Sequence, residues 1–253
     1  MFFESLTSFF TMAALFGSLT LPTLGIILSY PFSKKISVKI SDYIVHVCAP
    51  RLFRILHIYK HFTLSFSQEK KDELPEQFII ISNHQSLLDI PIYMTFLPGY
   101  ELRFVAKDSL GRHVPMVSEM LRSHEHCLIP RKGGTSIAMK ALENFGKRVI
   151  VKRQIPVIFP EGTRSSNGEL KQFYSAGFRK ISDAANLPVV VCVVDDGYKV
   201  NDLFHVMENL RNINYRVKIL KIYPAPKNKA EQVAILEEAK LLMQSQLDEW
   251  RKD

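Results

Sequence analysis

The chain has 253 residues, which suits one large domain, or a medium-sized domain with an appendage, and leaves little room for two independent catalytic domains. Its three cysteines, Cys48, Cys127 and Cys192, are too few and too scattered for a disulfide framework or a metal-binding motif, which favours a reducing compartment. The formal net charge is +8, but no basic helix carries interleaved base-reading or stacking groups, so we expect no nucleic-acid partner.

The N-terminal segment combines an uncharged stretch with a basic flank. Between Glu4 and Lys34 there are 29 residues without a charge, and about 20 predominantly apolar residues suffice to cross a membrane. Two glycines and Pro22 interrupt this stretch, so a bent or re-entrant interfacial hairpin remains an alternative to a straight span. If the segment does span, the basic flank places the rest of the chain on the cytoplasmic side.

Residues 41–60 are amphipathic, with Arg51, Arg54 and Lys60 among aliphatic and aromatic residues. Such a helix can lie at a membrane interface or cover the core of a domain. Because the basic excess sits beside the most apolar stretch, anionic lipid is the favoured partner. We therefore predict a membrane-associated helical region at residues 1–64 and an α/β domain at residues 65–253. The polar segment SQEKKDELPEQ lies near the start of the second region and leads into the domain.

In the second region, short apolar runs alternate with helix-like segments. The runs are QFIII, LRFVA, HCLI, IPVIF, LPVVVCVV and YRVKILKIY, and the helix-like segments are 86–97, 109–122, 135–147, 175–186 and 229–250. This alternation predicts an α/β fold with a mixed, largely parallel sheet flanked by helices. Ligands of such sheets bind beyond the carboxyl ends of the strands, where His84, Lys107, Arg131 and the PEGTR segment follow the first four runs.

The stretch FIIISNHQSLLDIP, residues 78–91, places His84 five residues before Asp89. On a regular helix these positions lie about 140° apart, so the two side chains can meet only if His84 precedes the first helical turn. Ser82 and Asn83 are residue types that hold such a corner. Asp89 would then fix the imidazole tautomer and leave the other nitrogen as a base. The alternative is a capped helix with incidental polar residues.

The stretch VIFPEGTRS, residues 157–165, ends a second apolar run in a sharp polar turn. Pro160, Glu161 and Gly162 expose backbone N–H groups there, and Arg164 carries a fork suited to phosphate. A strand followed by an ordinary polar turn is the alternative. Two strand ends of this kind in one α/β chain favour a functional site.

NHQSLLD and FPEGTRS resemble the two signature blocks of the glycerolipid acyltransferases, the family of lysophosphatidic acid (1-acyl-sn-glycerol-3-phosphate) acyltransferases. CLIPRKG, FVAKDSL and LPVVVCVV resemble further blocks, so that the resemblance covers about residues 77–200. It implies that His84 is the general base and that Asp89 orients it. The substrate-binding residues that it implies are Lys107, Arg131, Glu161, Gly162, Thr163 and Arg164.

The resemblance implies an O-acyltransferase in which a positioned base activates the acceptor hydroxyl. The apolar front end and its basic flank indicate that the enzyme is membrane-associated, with the catalytic domain on the cytoplasmic face. A fatty acyl chain would pass from an acyl thioester, either acyl-CoA or acyl carrier protein, to lysophosphatidic acid or a related lysophospholipid. No G-x-S-x-G is present and no metal or cofactor is expected, since SHEHC at 123–127 lacks a third ligand. Pro130 and QFYSAGF depart from the family pattern on the acceptor side. An acyltransferase for a non-phosphate acceptor and a catalytically silent lipid-binding scaffold are the alternatives.

Overall fold

The computed structural model describes residues 2–112, 114–130, 134–201 and 213–252. Its helices are α1 (Phe2–Ser29), α2 (Lys34–Tyr43), α3 (Ala49–Lys60), α4 (Asp89–Phe96), α5 (Val117–Ser123), α6 (Thr135–Val151), α7 (Ser175–Ala185) and α8 (Lys229–Trp250). Its strands are β1 (Thr63–Phe66), β2 (Ile79–Ser82), β3 (Leu102–Lys107), β4 (Cys127–Ile129), β5 (Ile155–Ile158), β6 (Val189–Asp195) and β7 (Asn214–Tyr223). A π-helical turn at Ile44–Cys48 joins α2 to α3, and 3₁₀ turns lie at Asp108–Gly111 and Gly197–Val200.

The strands form one seven-stranded sheet in the order β1-β7-β6-β2-β5-β3-β4. Each neighbouring pair is parallel except β6 and β7, which are antiparallel. Helices cover both faces, so the central strands are buried on both sides and consist of continuous aliphatic runs, as in β2 and β6. The predicted mixed, largely parallel α/β sheet is confirmed.

Two hydrophobic cores lie on opposite faces of this sheet, and alternate residues of one strand enter each of them. Ile80 joins the core that includes residues of α3, α4 and β7. Ile79 and Ile81 join the core that includes residues of α6, α7 and α8. The site described below lies where β2 leaves this double-sided core.

The predicted helix at 109–122 is wrong in its first half. A 3₁₀ turn occupies Asp108–Gly111, and α5 begins at Val117. Pro115 explains the late start, because it lacks a backbone N–H and disfavours helical geometry at the residue before it. The other helix-like segments appear as α4, α6, α7 and α8, with shifted ends in three of them.

The N-terminal helices pack on one another and on the α/β fold. Helix α1 continues through Pro22 without a break, and the Ser37 and Ser123 hydroxyls form a buried hydrogen bond of 2.7 Å between α2 and α5. Within the described ranges, no helix combines the length and the hydropathy that crossing a membrane requires. The predicted boundary after residue 64 falls inside β1, and both the two-region division and the membrane association stay predictions.

Candidate active site

His84 lies in the corner between β2 and α4. Strand β2 ends at Ser82, and α4 begins at Asp89. The imidazole Nδ1 of His84 lies 2.6 Å from Oδ2 of Asp89, which confirms the corner geometry predicted from the spacing. A carboxylate can only accept a hydrogen bond, so Nδ1 carries the proton, and in the neutral imidazole the lone pair is on Nε2. The His84 side chain is 17% exposed, so a substrate can reach it.

The Asp89 carboxylate is fully buried and held by several donors. Oδ2 also accepts the backbone N–H groups of Gln85 at 2.8 Å and Ser86 at 3.1 Å. Oδ1 accepts the hydroxyl of Tyr215, which comes from β7. A buried carboxylate with this many donors keeps its negative charge facing the imidazole, and it can stabilise an imidazolium when one forms.

The two signature blocks are joined through Glu161, which is only 3% exposed. Its Oε1 accepts the backbone N–H of His84 and its Oε2 accepts that of Lys171, each at 2.9 Å. The backbone N–H of Ser165 donates a hydrogen bond of 2.7 Å to the carbonyl of His84. Burial raises the pKa of Glu161, and the N–H groups of Lys171 and His84 act in the opposite direction. In this structure the carboxylate holds the backbone of the histidine in place.

Neighbouring strands hold the same corner from two sides. The ring of Phe159, which follows β5, stacks on the imidazole of His84 with centroids 4.1 Å apart and an interplanar angle of 11°. The side-chain amide of Asn83 donates to the carbonyl of Val194 and accepts its N–H, both at 2.9 Å. The stack restrains the plane of the imidazole, and the amide pairs extend the β2–β6 connection by one residue.

The predicted substrate-binding residues that the structure describes lie at the same edge of the sheet as His84, in turns or at strand ends. Gly162, with a φ of +65°, and Thr163 form the exposed tip of the turn after β5, and Arg164 donates to the carbonyl of Asn201. Lys107 is the last residue of β3, which pairs with β5. Arg131 lies outside the described residues. The role of each of these residues stays a prediction.

The model of the acyltransferase family matches residues 65–195, which is just over half of the sequence. The chain belongs to the acyltransferase family.

Relatives of this acyltransferase carry one name in common. It is 28% identical over 148 residues to a 1-acyl-sn-glycerol-3-phosphate acyltransferase of Cocos nucifera, a match that covers 58% of this chain and 42% of the relative. It is 32% identical over 124 residues to one of Helicobacter pylori, with 48% and 50% covered, and 31% identical over 115 residues to the beta form of Homo sapiens, with 46% and 40% covered. The chain therefore spans half or less of the length of these relatives.

A solved structure supports the fold of this acyltransferase. The crystal structure of the 1-acyl-sn-glycerophosphate (LPA) acyltransferase PlsC from Thermotoga maritima superposes with a TM-score of 0.64. The match covers 96% of this chain and 95% of the other, at 18% sequence identity. At that identity the likeness concerns the architecture, including the mixed sheet flanked by helices.

Sequence reasoning missed two aromatic contacts of this acyltransferase site. Tyr215 lies in an apolar run that predicts only a strand, and Phe159 is the last residue of another such run. The Tyr215 contact has no local signal, because Tyr215 is 126 residues from Asp89 along the chain and meets it only through the order of the sheet. A motif search finds residues near one another in sequence, and these contacts depend on strand pairing.

The two histidines of SHEHC have structural partners. Nδ1 of His126 accepts the backbone N–H of Phe104 at 2.9 Å, and Nε2 of His124 lies 3.4 Å from Oδ1 of Asp42. Burial, followed by the charge of Arg103, holds the pKa of His126 well below its usual value. Among the described residues, no three His, Cys, Asp or Glu side chains form a group that could hold a metal ion.

Proposed function

We propose that this acyltransferase moves a fatty acyl chain from an acyl thioester to the free hydroxyl of lysophosphatidic acid or a related lysophospholipid. The observation that carries the proposal is the His84–Asp89 pair, which is held at the accessible edge of the sheet by the Glu161 loop. The names of the relatives agree with this acceptor.

In the proposed reaction, Nε2 of His84 takes the proton of the acceptor hydroxyl as its oxygen attacks the thioester carbonyl. The C–O bond forms, and the tetrahedral intermediate collapses with loss of the thiolate, which takes the proton from the imidazolium. Asp89 stabilises that imidazolium through the bond to Nδ1. A thioester carbonyl is reactive enough for direct transfer, so the step requires no covalent enzyme intermediate.

The acceptor phosphate would be bound by cations at this edge of the sheet. Arg164 directly follows the exposed Gly162–Thr163 turn. Its guanidinium has five N–H donors, and one of them donates to the carbonyl of Asn201. Lys107 lies at the end of the strand next to β5, and Arg131 is assigned to the same phosphate by the family resemblance. The donor is acyl-CoA or acyl carrier protein, and no other cofactor is proposed.

We further propose that the N-terminal helices bind membrane lipid, with the catalytic domain on the cytoplasmic face. Three large apolar side chains near the end of α1 are mostly exposed: Leu21 (77%), Leu28 (66%) and Phe32 (88%). Lys34 and Lys35 follow directly at the start of α2. Apolar side chains beside lysines suit the boundary between acyl chains and anionic headgroups.

The test is a panel of acceptors and donors with purified full-length protein. Lysophosphatidic acid, lysophosphatidylcholine and monoacylglycerol would each be offered with acyl-CoA and with acyl carrier protein, and products read by lipid mass spectrometry. We expect phosphatidic acid from lysophosphatidic acid as the main product. Preferred acylation of monoacylglycerol would refute the proposal that the acceptor carries a phosphate. No transfer to any lysolipid would refute the proposal that the protein is an acyltransferase acting on lysolipids.

A further inference from the structure

We propose that Tyr215 is a positioning residue for the acyl transfer: its hydroxyl fixes the Asp89 carboxylate against His84, and Gly197 provides the space through which it does so. The proposal rests on the function proposed above, because it assigns the residue a part in that reaction. Tyr215 belongs to β7, outside both signature blocks and outside the stretch matched by the family model.

The two oxygens of Asp89 have separate partners. Oδ2 accepts the imidazole Nδ1–H of His84 at 2.6 Å and two backbone N–H groups. Oδ1 accepts the hydroxyl of Tyr215. The backbone groups belong to the same corner as Asp89, whereas Tyr215 comes from a different strand and ties the carboxylate to the sheet. Loss of that hydroxyl would leave Oδ1 without this donor and remove the hydrogen bond that ties the carboxylate to β7.

Tyr215 acts here as a neutral donor. Its side chain is fully buried, and burial, together with the charge of Asp89 nearby, raises the pKa of Tyr215 well above its usual value. The phenol therefore keeps its proton across the working pH range. A hydrogen bond from a neutral hydroxyl draws charge from the carboxylate without adding a positive group to the site. It therefore moderates how strongly Asp89 holds the proton on His84.

Gly197 makes the contact sterically possible. A Cβ added at Gly197 would lie 2.2 Å from Oη of Tyr215 and 2.7 Å from Cζ. The backbone does not demand glycine there, because Gly197 is not one of the glycines with a positive φ. Space for the hydroxyl and the adjoining ring atoms of Tyr215 is the feature that requires a glycine at this point, so residue 197 affects where the Tyr215 hydroxyl lies.

The contribution of the Tyr215 hydroxyl can be tested separately from the packing of the Tyr215 ring. The Tyr215 ring lies in the core, with its centroid 6.2 Å from that of Phe62, and phenylalanine preserves this packing. Tyr215→Phe is therefore the test variant. Tyr223→Phe is its matched control, because Tyr223 is a buried tyrosine at the other end of the same strand.

Steady-state kinetics from pH 5 to pH 9 would be measured for both variants. For Tyr215→Phe we expect kcat to fall by about tenfold to a hundredfold, the range of one hydrogen bond to a charged group. KM for the acceptor should stay within about twofold, and the acid limb of the kcat/KM profile should move up by about one pH unit. Tyr223→Phe should match the wild type. An unchanged kcat and profile in Tyr215→Phe would show that Tyr215 serves only the core.

Gly197→Ala provides a second route to the same bond, because its methyl group displaces the hydroxyl. It should lower kcat in the same direction. The losses of Tyr215→Phe and Gly197→Ala should be less than additive in the combined variant, because both remove the same hydrogen bond; the contact of the methyl group with Cζ at 2.7 Å remains in the Phe background and accounts for the rest. Fully additive losses would contradict the proposal.

An activity-independent readout separates this proposal from the proposed function. The pH titration of the His84 imidazole would be followed by NMR in the wild type, Tyr215→Phe and Tyr223→Phe. A shift of the His84 titration in Tyr215→Phe alone supports the coupling, even if the wild type transfers no acyl group and the proposed function fails. Identical titrations in all three proteins would overturn the coupling, whatever the activity.

Discussion

Replacement of Glu161 by glutamine tests whether this side chain organises the site or binds the acceptor. Both carboxylate oxygens accept backbone N–H groups, from His84 and from Lys171, and the side chain is buried. A glutamine amide has one oxygen and one NH₂ group, so one backbone N–H must face another donor. An unsatisfied buried N–H costs about 1–3 kcal/mol, and we expect the free energy of unfolding to fall by that amount.

The same substitution should also lower kcat, because His84 loses its backbone anchor. Urea unfolding followed by circular dichroism gives the stability, and steady-state kinetics gives kcat and the acceptor KM separately. Glu169→Gln is the matched control, since Glu169 is an exposed side chain of the same loop. If Glu161→Gln kept the wild-type stability and kcat but raised the acceptor KM tenfold, the carboxylate would contact the acceptor and our structural interpretation would be wrong.

Three further predictions concern the phosphate, the buried histidine and the helix contact. Arg164→Ala should raise KM for lysophosphatidic acid about tenfold and leave an acceptor without phosphate unaffected, as measured by kinetics with both acceptors. The native state keeps His126 neutral because burial lowers its pKa. In the unfolded chain the same imidazole takes up a proton below about pH 6.5. The free energy of unfolding should therefore fall toward pH 5 by up to about 1.4 kcal/mol per pH unit. His126→Asn should flatten that fall in urea titrations. Gly146→Ala, whose Cβ would lie 2.7 Å from α7, should lose about 1–3 kcal/mol of stability, and Gly177→Ala, with its nearest contact at 3.8 Å, should gain up to about 1 kcal/mol in the same assay.

The fold class was predictable because buried parallel strands leave a strong local signal. The aliphatic runs of β2 and β6 need no tertiary information to be recognised as strands. The reversal of β7 against β6 carries no such signal, because the direction of pairing depends on how the chain returns to the sheet. The sequence also left open whether Pro22 interrupts the N-terminal helix, and α1 continues through it.

The contact between His84 and Asp89 was predictable from the sequence, whereas the groups that support it were not. The spacing of five positions from His84 to Asp89 required a corner, and the corner is present. The burial of Glu161 and its bonds to two backbone N–H groups could not be read from FPEGTRS. A motif identifies which residues gather at a site, but the partner of each atom depends on the packing of distant segments.

The measurement that tests the central claim most directly is acyl transfer by His84→Asn. His46→Asn, at an exposed histidine outside the site, is the matched control. We expect the rate of phosphatidic acid formation to fall by about 10²–10⁴ in His84→Asn, the usual contribution of a general base, with acceptor binding and stability unchanged. The His46 variant should match the wild type. A His84→Asn protein that formed phosphatidic acid at the wild-type rate would contradict the account.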